Sequence, residues 1–358
     1  MDATTEVTRA HHVGSLLRPP ALKAARAAYA AGTSDARELR RHEDAAIRDA
    51  VAMQEQVGLP VITDGELRRA TWNSGFLGML DNVEFAEHAE PGRPQLEIRG
   101  PVARSTALVA GDFAFLREVA TAAAKVTMPS PSYLLGTRGV CVRPDAYSGR
   151  AGLAADVVRA YRAEIAALEQ AGCRHLQLDD PNFGFFCDER WRAQAREASG
   201  QPWEAMLDLY ITVINAALAG RSPDLTVMLH TCRGNVRDIV LARGGYEPVA
   251  DRLFNDVAVD GYLLEYDNER AGGFTPLRHL PKGKLAVLGL VTTRSGVLED
   301  AAGLKRRIEE AARAAPIEQL ALSPQCGFTS PAEGDRLTAG EQRAKLERIV
   351  EVADDVWA

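Results

Sequence analysis

The run TVMLHTCRG at residues 226–234 is a short apolar stretch that ends in polar, chemically capable residues, and its pattern decides the fold. Runs of this length that are rich in β-branched residues predict buried strands. Seven further runs share the pattern: HHVGS (11–15), PVITDGE (60–66), KVTMPSP (125–131), HLQLDDP (175–181), GYLLEYD (261–267), KLAVLGLVTT (284–293) and QLALSPQCG (319–327). The sequence therefore predicts eight strands.

Helical patterns separate most of these runs. Residues 38–57 carry apolar side chains at helical spacing, and Gly58 is typical of a helix end. The same spacing predicts helices over 153–171, 203–219, 299–315 and 338–353, whereas residues 268–283 hold a short helix at most. Strands that alternate with helices favour a parallel sheet, and eight such units favour a closed (β/α)8 TIM barrel, an α/β fold. We expect a single catalytic domain over residues 1–358.

One connection is longer than the others. Residues 69–124 form an insertion between the second and third predicted strands. Within it, QLEIRG (95–100) and STALVAG (105–111) have the alternation that predicts a small β-ribbon.

Composition and charge narrow the classes of function. The chain has 358 residues, 46% hydrophobic and 25% charged, which is ordinary for a soluble globular enzyme. The net charge of −7 argues against nucleic acid or an anionic membrane as a partner. The N-terminus lacks the apolar stretch of a signal peptide, and an odd count of five cysteines does not indicate a disulfide framework. We therefore expect a cytoplasmic protein, whose oligomeric state the sequence leaves open.

Polar residues concentrate where the predicted strands end. Gly14-Ser15, Asp64-Gly65-Glu66, Asp179-Asp180 and Thr292-Thr293 all stand at carboxyl ends of otherwise apolar runs. Active sites of TIM barrels lie at this end of the strands. The sequence therefore predicts a site at the carboxyl-terminal mouth of the barrel.

Three residues at this end have the chemistry of a metal site. His230 and Cys232 are two positions apart on one strand, so their side chains share a face. Cys326 ends the eighth predicted strand, which can converge on the fifth across the barrel mouth. Two thiolates and an imidazole suit zinc, and three protein ligands leave a fourth position for substrate. Glu265, which ends the sixth strand, could occupy that position at rest.

Charge counting indicates the type of reaction. Zinc with two thiolates and a neutral imidazole is formally neutral and therefore polarises a carbonyl poorly. It still lowers the pKa of a bound thiol. The predicted site therefore suits nucleophilic sulfur chemistry better than hydrolysis.

Each of these residues also has a plain structural interpretation. Asp64-Gly65-Glu66 could be a turn, Asp179-Asp180 could cap a helix, and WNSGF (72–76) could be core packing or an aromatic wall over the site. His11 and His12 are more typical of core or surface histidines than of metal ligands. The remaining cysteines are expected to be inert: Cys141, Cys173 and Cys187.

Taken together, the motifs resemble the catalytic barrel of cobalamin-independent methionine synthase, and more closely the short, single-barrel members of that family. The matching runs lie between residues 11 and 328: HVGSLLRP, VITDGELRR, LQLDDP, LHTCRGN, GYLLEYDNERAG, LGLVTTRSGVLE and LSPQCGF. The resemblance implies that Zn²⁺ is bound by His230, Cys232, Glu265 and Cys326. It further implies a homocysteine site in which Glu66 and Asp179 take the amino group and Val13, Gly14 and Ser15 surround the carboxylate.

The side that binds the alkyl donor departs from the full-length synthase. The folate-binding Arg-Cys-x-Arg run has no match near RGPVARS (99–105), and the family's Asp-Ile-His run reads Thr292-Thr293-Arg294. A short relative, epoxyalkane:coenzyme M transferase, adds a sulfonate thiol to an epoxide. The arginines that could bind such an anion here are Arg68, Arg233 and Arg294.

Three hypotheses about function follow. The leading one is a zinc-dependent S-methyltransferase whose partners are a small thiol, such as homocysteine, and an alkyl donor. The second keeps the thiol but uses another electrophile, such as an epoxide or a corrinoid methyl group. The third, from a different class, is a non-catalytic barrel that binds zinc or thiols.

Overall fold

A computed structural model describes residues 8–85, 96–136, 139–236, 239–329 and 336–358. Its strands are β1 (Val61–Ile62), β2 (Asp81–Phe85), β3 (Leu96–Ala103), β4 (Ala123–Pro129), β5 (Val140–Val142), β6 (His175–Asp179), β7 (Thr226–Thr231), β8 (Asn235–Val236), β9 (Ile239–Val240), β10 (Gly261–Glu265), β11 (Leu285–Val291) and β12 (Leu320–Pro324).

The described α-helices alternate with these strands over most of the chain. They are α1 (Pro20–Ala30), α2 (Ala36–Val57), α3 (Ser74–Leu77), α4 (Ala110–Val119), α5 (Arg150–Gln170), α6 (Pro181–Phe186), α7 (Glu189–Ser199), α8 (Trp203–Leu218), α9 (Ala250–Asp256), α10 (Ala301–Ala311) and α11 (Ala339–Trp357). Short 3-10 helices occupy Pro131–Leu135, Glu269–Ala271, Thr275–His279 and Ile317–Gln319.

A parallel sheet forms the centre of the fold. Its strand order is β1-β4-β6-β7-β10-β11-β12, so neighbours in the sheet follow the order of the chain. The curled sheet with helices outside it confirms the predicted α/β barrel class. The pairing of β6 with β7 places Asp179 level with His230, and the pairing of β7 with β10 places His230 level with Leu263.

The first predicted strand is the exception, because the sheet has seven regular strands in the described residues. The expected strand at residues 11–15 contributes only a parallel bridge between Ala10 and Leu322. The segment nevertheless fills the eighth position: the His11 N–H donates to Leu322 O at 2.9 Å, and the Leu16 N–H donates to Gly65 O at 3.0 Å. Gly14 has φ of +141°, which takes the chain out of strand geometry and explains the interruption.

The predicted helices are present, with ends shifted by a few residues. In α2 the side chain of Asp35 accepts the Glu38 N–H at 2.8 Å and begins the helix, and Gly58, with φ of +90°, ends it. The connection over 268–283 holds only 3-10 helices, as expected. The sequence interpretation missed the shorter helices, which lack a long apolar repeat: α1, α3, α4, α6, α7 and α9.

The insertion forms its own small sheet, in the order β2-β3-β5. Leu96–Ala103 is a strand as predicted, although residues 86–95, which include the start of QLEIRG, lie outside the described residues. The predicted pairing with STALVAG is wrong: β3 pairs antiparallel with β2 and parallel with β5, while 105–111 leads into α4. Alternate residues of β3 are buried, and this face packs on α5, which decides its partners.

Two apolar layers stabilise the barrel. The larger one lies between the sheet and the surrounding helices. A smaller cluster fills the barrel interior below the mouth: Val13, Met228, Leu263, Val287 and Ala321. Among the described helices, none combines the length and the apolar character needed to cross a membrane.

Glu164 on α5 ties the insertion to the barrel, and its replacement tests that connection. Its carboxylate is fully buried and accepts the N–H groups of residues 108–110 and the guanidinium of Arg104 at 2.6–3.0 Å. Glu164→Gln turns one acceptor oxygen into a donor that faces these donors, so we expect a loss of about 3 kcal/mol in the free energy of unfolding. Urea denaturation measures it. The exposed Glu118→Gln on α4 is the control, and an equal effect in both variants would contradict the prediction.

Candidate metal centre

Four side chains from three strand ends meet at the barrel mouth. His230 lies in β7 and Cys232 directly after it, Glu265 ends β10, and Cys326 follows β12. One ligand atom from each residue lies within 4.8 Å of the others. His230, Glu265 and Cys326 are buried, and Cys232 is half-buried. The structure thus brings together all four residues that the sequence interpretation singled out as ligands.

The separation of the two sulfurs is informative. Sγ of Cys232 and Sγ of Cys326 are 3.8 Å apart, and neither cysteine forms a disulfide. A disulfide requires about 2.05 Å. Two sulfurs bound to one tetrahedral zinc ion at about 2.3 Å each would lie roughly 3.8 Å apart. The distance therefore fits a shared metal ion.

His230 is oriented by the neighbouring strand. Its Nδ1 lies 3.2 Å from the carbonyl oxygen of Leu263, which makes Nδ1 the protonated nitrogen in the neutral ring. Nε2 is buried and makes no hydrogen bond of normal geometry with the described residues. Although burial lowers the pKa of His230, the close contact with the Cys326 sulfur and the negative field of Cys326, Asp179 and Glu265 raise it to about 9. Nε2 therefore lies where a cation is favoured.

His230, Cys232, Glu265 and Cys326 form a quartet of candidate ligands. The close approach of its acidic groups also shifts the pKa values of Cys232 and Glu265. The neighbouring Cys326 and burial raise the pKa of Cys232 well above its usual range. Burial and Cys326 raise the pKa of Glu265 to about 7, against the lowering effects of Arg270 and His230. Groups that resist ionising together lose their protons readily to a divalent cation. The donor set of two sulfurs, one nitrogen and one oxygen therefore fits zinc in both chemistry and charge.

Glu265 also has partners outside the quartet. Its Oε1 accepts the Arg233 N–H at 2.6 Å, and its Oε2 pairs with the guanidinium of Arg270 at 2.9 Å. Its own N–H donates to the hydroxyl of Tyr246 at 3.0 Å. These groups hold the carboxylate within ligand distance of the other three side chains. They would also stabilise its charge if it were not bound to a metal ion. The sequence interpretation missed Arg270 and Tyr246, because nothing local in NERAG or GGYE indicates these contacts.

The three arginines proposed for anion binding differ in location. Arg68 pairs with Asp44 and Asp112 at 2.5 and 2.6 Å, among helices outside the sheet. Arg233 is fully buried, donates to Gly244 O at 2.5 Å and lies over an aromatic ring. Both side chains therefore have structural contacts that account for them. Arg294 is half-buried and lies in the electrostatic field of Glu265.

The N-terminal segment lies against the quartet. The side chain of Val13 is buried in the barrel interior. Gly14 leaves no room for a side chain, since a Cβ there would lie 2.6 Å from Cγ2 of Thr127. A Cβ on Gly327, the residue after Cys326, would collide with the hydroxyl of Ser15. Ser15 therefore packs against the residue that follows Cys326, a candidate metal ligand.

The two carboxylates predicted to bind an amino group are buried on either side of β4, Glu66 after β1 and Asp179 at the end of β6. Glu66 follows a turn, with φ of +58°, and its Oε1 accepts the Thr127 hydroxyl at 2.8 Å. Oε2 of Glu66 is buried without a hydrogen-bond partner among the described residues. Oδ1 of Asp179 accepts the Gln177 amide at 2.8 Å. Burial and Glu66 raise the pKa of Asp179 to about 7, against the lowering effects of His230 and Gln177.

Several residues near these carboxylates have the structural roles that the sequence analysis gave as alternatives: a helix cap, a turn and core packing. Asp180 begins α6 by accepting the Asn182 N–H at 2.8 Å, so one aspartate caps the helix while Asp179 faces the barrel interior. Asp64 closes the turn before Glu66 by accepting its N–H at 2.9 Å. Phe76 of WNSGF is fully buried core. Outside the quartet lie His11, His12, Cys141, Cys173 and Cys187.

Comparison with known proteins places this chain in a family. The family model described as "Cobalamin-independent synthase, Catalytic domain" matches residues 8–355. The chain belongs to the cobalamin-independent methionine synthase family. This family is enzymatic and methyltransferase-like, and its members act on small molecules.

Relatives of this methionine synthase family member differ in length. It is 42% identical to the uncharacterized protein YxjG of Bacillus subtilis (strain 168), over 98% of this chain and 94% of YxjG. A crystal structure titled as a putative vitamin-B12 independent methionine synthase from Listeria monocytogenes is 36% identical, with a TM-score of 0.79 over 98% of each chain. The 5-methyltetrahydropteroyltriglutamate–homocysteine methyltransferase of Paraburkholderia phytofirmans is 26% identical over 88% of this chain, which spans 39% of that enzyme.

Asp179→Asn tests the charge state of the site in metal-free protein. The pKa of Asp179 is raised to about 7, so its ionised form disfavours the folded state. This cost is absent below about pH 4 and complete above about pH 7. Asparagine carries no such cost, so the variant should gain stability relative to wild type as pH rises through this window, by on the order of a few kcal/mol.

Urea denaturation of chelator-treated protein across the window measures the difference. The exposed Asp224→Asn is the matched control. A difference between wild type and Asp179→Asn that stays constant with pH would show that Asp179 is not electrostatically strained.

Proposed function

We propose that this chain is a zinc-dependent thiol S-methyltransferase that transfers a methyl group to the ionised sulfur of a small thiol such as homocysteine. The observation that carries the proposal is the quartet at the barrel mouth, whose two sulfurs are 3.8 Å apart. The buried carboxylates Glu66 and Asp179 beside it supply a place for the amino group of an amino acid. Family membership supports methyl transfer as the reaction type.

Two groups of residues have separate roles at the proposed metal site. His230, Cys232, Glu265 and Cys326 would hold the zinc ion, which supplies a cation that favours the thiolate form of a substrate thiol. Arg270 and the Arg233 N–H hold the carboxylate of Glu265 and would stabilise its charge if it were not bound to the metal.

The acceptor is bound beside the quartet. Glu66 and Asp179 bind its ammonium group, and the segment Val13-Gly14-Ser15 lies where its carboxylate would bind. The mouth of a rigid barrel then positions the sulfur for attack on the alkyl carbon, so that the sulfur–carbon bond forms as the bond to the leaving group breaks. We further propose that residues 1–358 act as one catalytic domain, with 69–124 as an insertion, and that the protein is cytoplasmic.

Cys326→Ser tests the metal site directly. A serine hydroxyl is a poor zinc ligand, so zinc affinity should fall by more than about 100-fold and activity should be lost with it. Elemental analysis after dialysis measures zinc, and circular dichroism shows whether the barrel stays folded. Cys141→Ser, at an exposed cysteine in β5, should keep both zinc and activity. Full activity in a zinc-free Cys326→Ser protein would refute the zinc assignment.

Assays with matched substrates test the reaction. We expect methylation of homocysteine with a methylfolate as the donor, whereas methylation from methylcobalamin alone would support the second hypothesis. Turnover only with coenzyme M and an epoxide would refute the methyltransferase and support the second hypothesis.

X-ray absorption at the zinc edge distinguishes the two enzyme hypotheses from the third, a non-catalytic barrel. The number of sulfur ligands should rise from two to three when the accepted thiol is added. A sulfur count that no thiol changes would indicate a closed, structural site.

A further inference from the structure

One buried side-chain amide connects the two parts of the proposed acceptor site, which are the carboxylate pair Glu66 and Asp179 and the segment 13–15. Gln177 lies in β6, two residues before Asp179, and its side chain is fully buried. Its Nε2 donates to Oδ1 of Asp179 at 2.8 Å and to the carbonyl oxygen of Val13. Its Oε1 accepts Nζ of Lys125 at 2.9 Å. A single side chain therefore contacts both a carboxylate and the N-terminal segment of the proposed acceptor site.

Lys125 determines which way this amide points. An ammonium group has donors only, so the atom of Gln177 that faces it must be the oxygen. Lys125 is itself buried in β4 and held by a second bond, to the carbonyl oxygen of His12 at 2.5 Å. A flipped amide would place its oxygen against a carboxylate and a carbonyl, and its donors against a cation. The orientation of Gln177 is therefore a consequence of the lysine.

The orientation decides which carboxylate oxygens remain for a ligand. Gln177 occupies Oδ1 of Asp179, and Oδ2 receives no hydrogen bond in the described structure. The Thr127 hydroxyl occupies Oε1 of Glu66 in the same way, and Oε2 is buried without a partner among the described residues. Two acceptor oxygens, one after β1 and one at the end of β6, with β4 between them, are thus left for a group with several donors, such as a primary ammonium.

The charge balance agrees with this assignment. Burial lowers the pKa of Lys125 to about 8, against the opposing effects of Asp179 and Glu66, so it is still mostly protonated at neutral pH. Its hydrogen bonds nevertheless go to an amide and a backbone carbonyl, and the two carboxylates keep their free oxygens. A ligand ammonium group can therefore bind them without displacing the lysine.

We propose that Gln177, oriented by Lys125, is a positioning residue that determines recognition of the α-ammonium group of the thiol acceptor. The inference rests on the proposed function, since it assumes an amino-acid thiol. An acceptor without the ammonium group leaves Oε2 of Glu66 and Oδ2 of Asp179 without a donor, which is a strong basis for rejection.

The test compares two thiols that differ only in this group. Homocysteine carries the ammonium group, and 4-mercaptobutyrate lacks it. Gln177→Met keeps the length of the side chain but cannot donate to Asp179. We expect KM and Kd for homocysteine to rise about tenfold to a hundredfold, the range for a lost hydrogen bond to a charged group. KM and Kd for 4-mercaptobutyrate should stay the same, and kcat should change little.

Gln319→Met is the matched control. Gln319 is also a buried glutamine whose Nε2 donates to two carbonyl oxygens, those of Pro281 and Lys284, but it precedes β12 at the opposite end of the barrel. It should leave the preference for homocysteine unchanged. If Gln177→Met does not fold, Gln177→Asn, whose amide is one methylene shorter, has the same expected result.

The outcomes separate the inference from the function on which it rests. Equal losses for both thiols in the Gln177 variant, or no loss for either, would overturn the positioning role while the methyltransferase stands. Equal use of both thiols by the wild-type protein would overturn the amino-acid acceptor itself.

Discussion

The convergence of two thiols, an imidazole and a carboxylate within 4.8 Å is the constraint on which the rest of the site depends. Such groups do not approach one another spontaneously, because burial and mutual repulsion oppose their ionisation. The parallel sheet imposes the arrangement: each ligand stands at or just beyond the carboxyl end of a strand whose register is set by backbone hydrogen bonds. The rigid backbone therefore holds the four side chains together against their mutual repulsion. A bound cation would reduce that repulsion.

The same register connects the metal centre to the acceptor site. Asp179 lies level with His230 on the neighbouring strand, so a ligand bound by Asp179 would lie one strand away from the candidate metal ligand His230. On the other side, Ser15 packs against the residue that follows Cys326. The N-terminal segment, which replaces a regular eighth strand, thus closes the barrel and also borders the site. Its irregular backbone at Gly14 allows this close approach.

The side of the mouth that would face the alkyl donor has a structural explanation for its departure from the family. Where the full-length synthase has an Asp-Ile-His run, this chain has two threonines that hold loops together. The hydroxyl of Thr292 bonds Asp267 at 2.9 Å, and the hydroxyl of Thr293 bonds Gly327 O at 3.1 Å. The second contact braces the turn that bears Cys326, and the first joins Thr292 to the loop after β10.

Local pattern determined much of this protein. Apolar runs with polar ends predicted the barrel, and a spacing of two on a strand sufficed to place His230 and Cys232 on one face, because side-chain direction alternates with fixed period along β structure. Tertiary structure alone decided the contacts between distant segments. Arg270 on Glu265, the partners of β3 and the amide orientation of Gln177 depend on which groups are buried opposite each other. Such pairings are set by the packing of whole elements, and no short stretch of sequence specifies them.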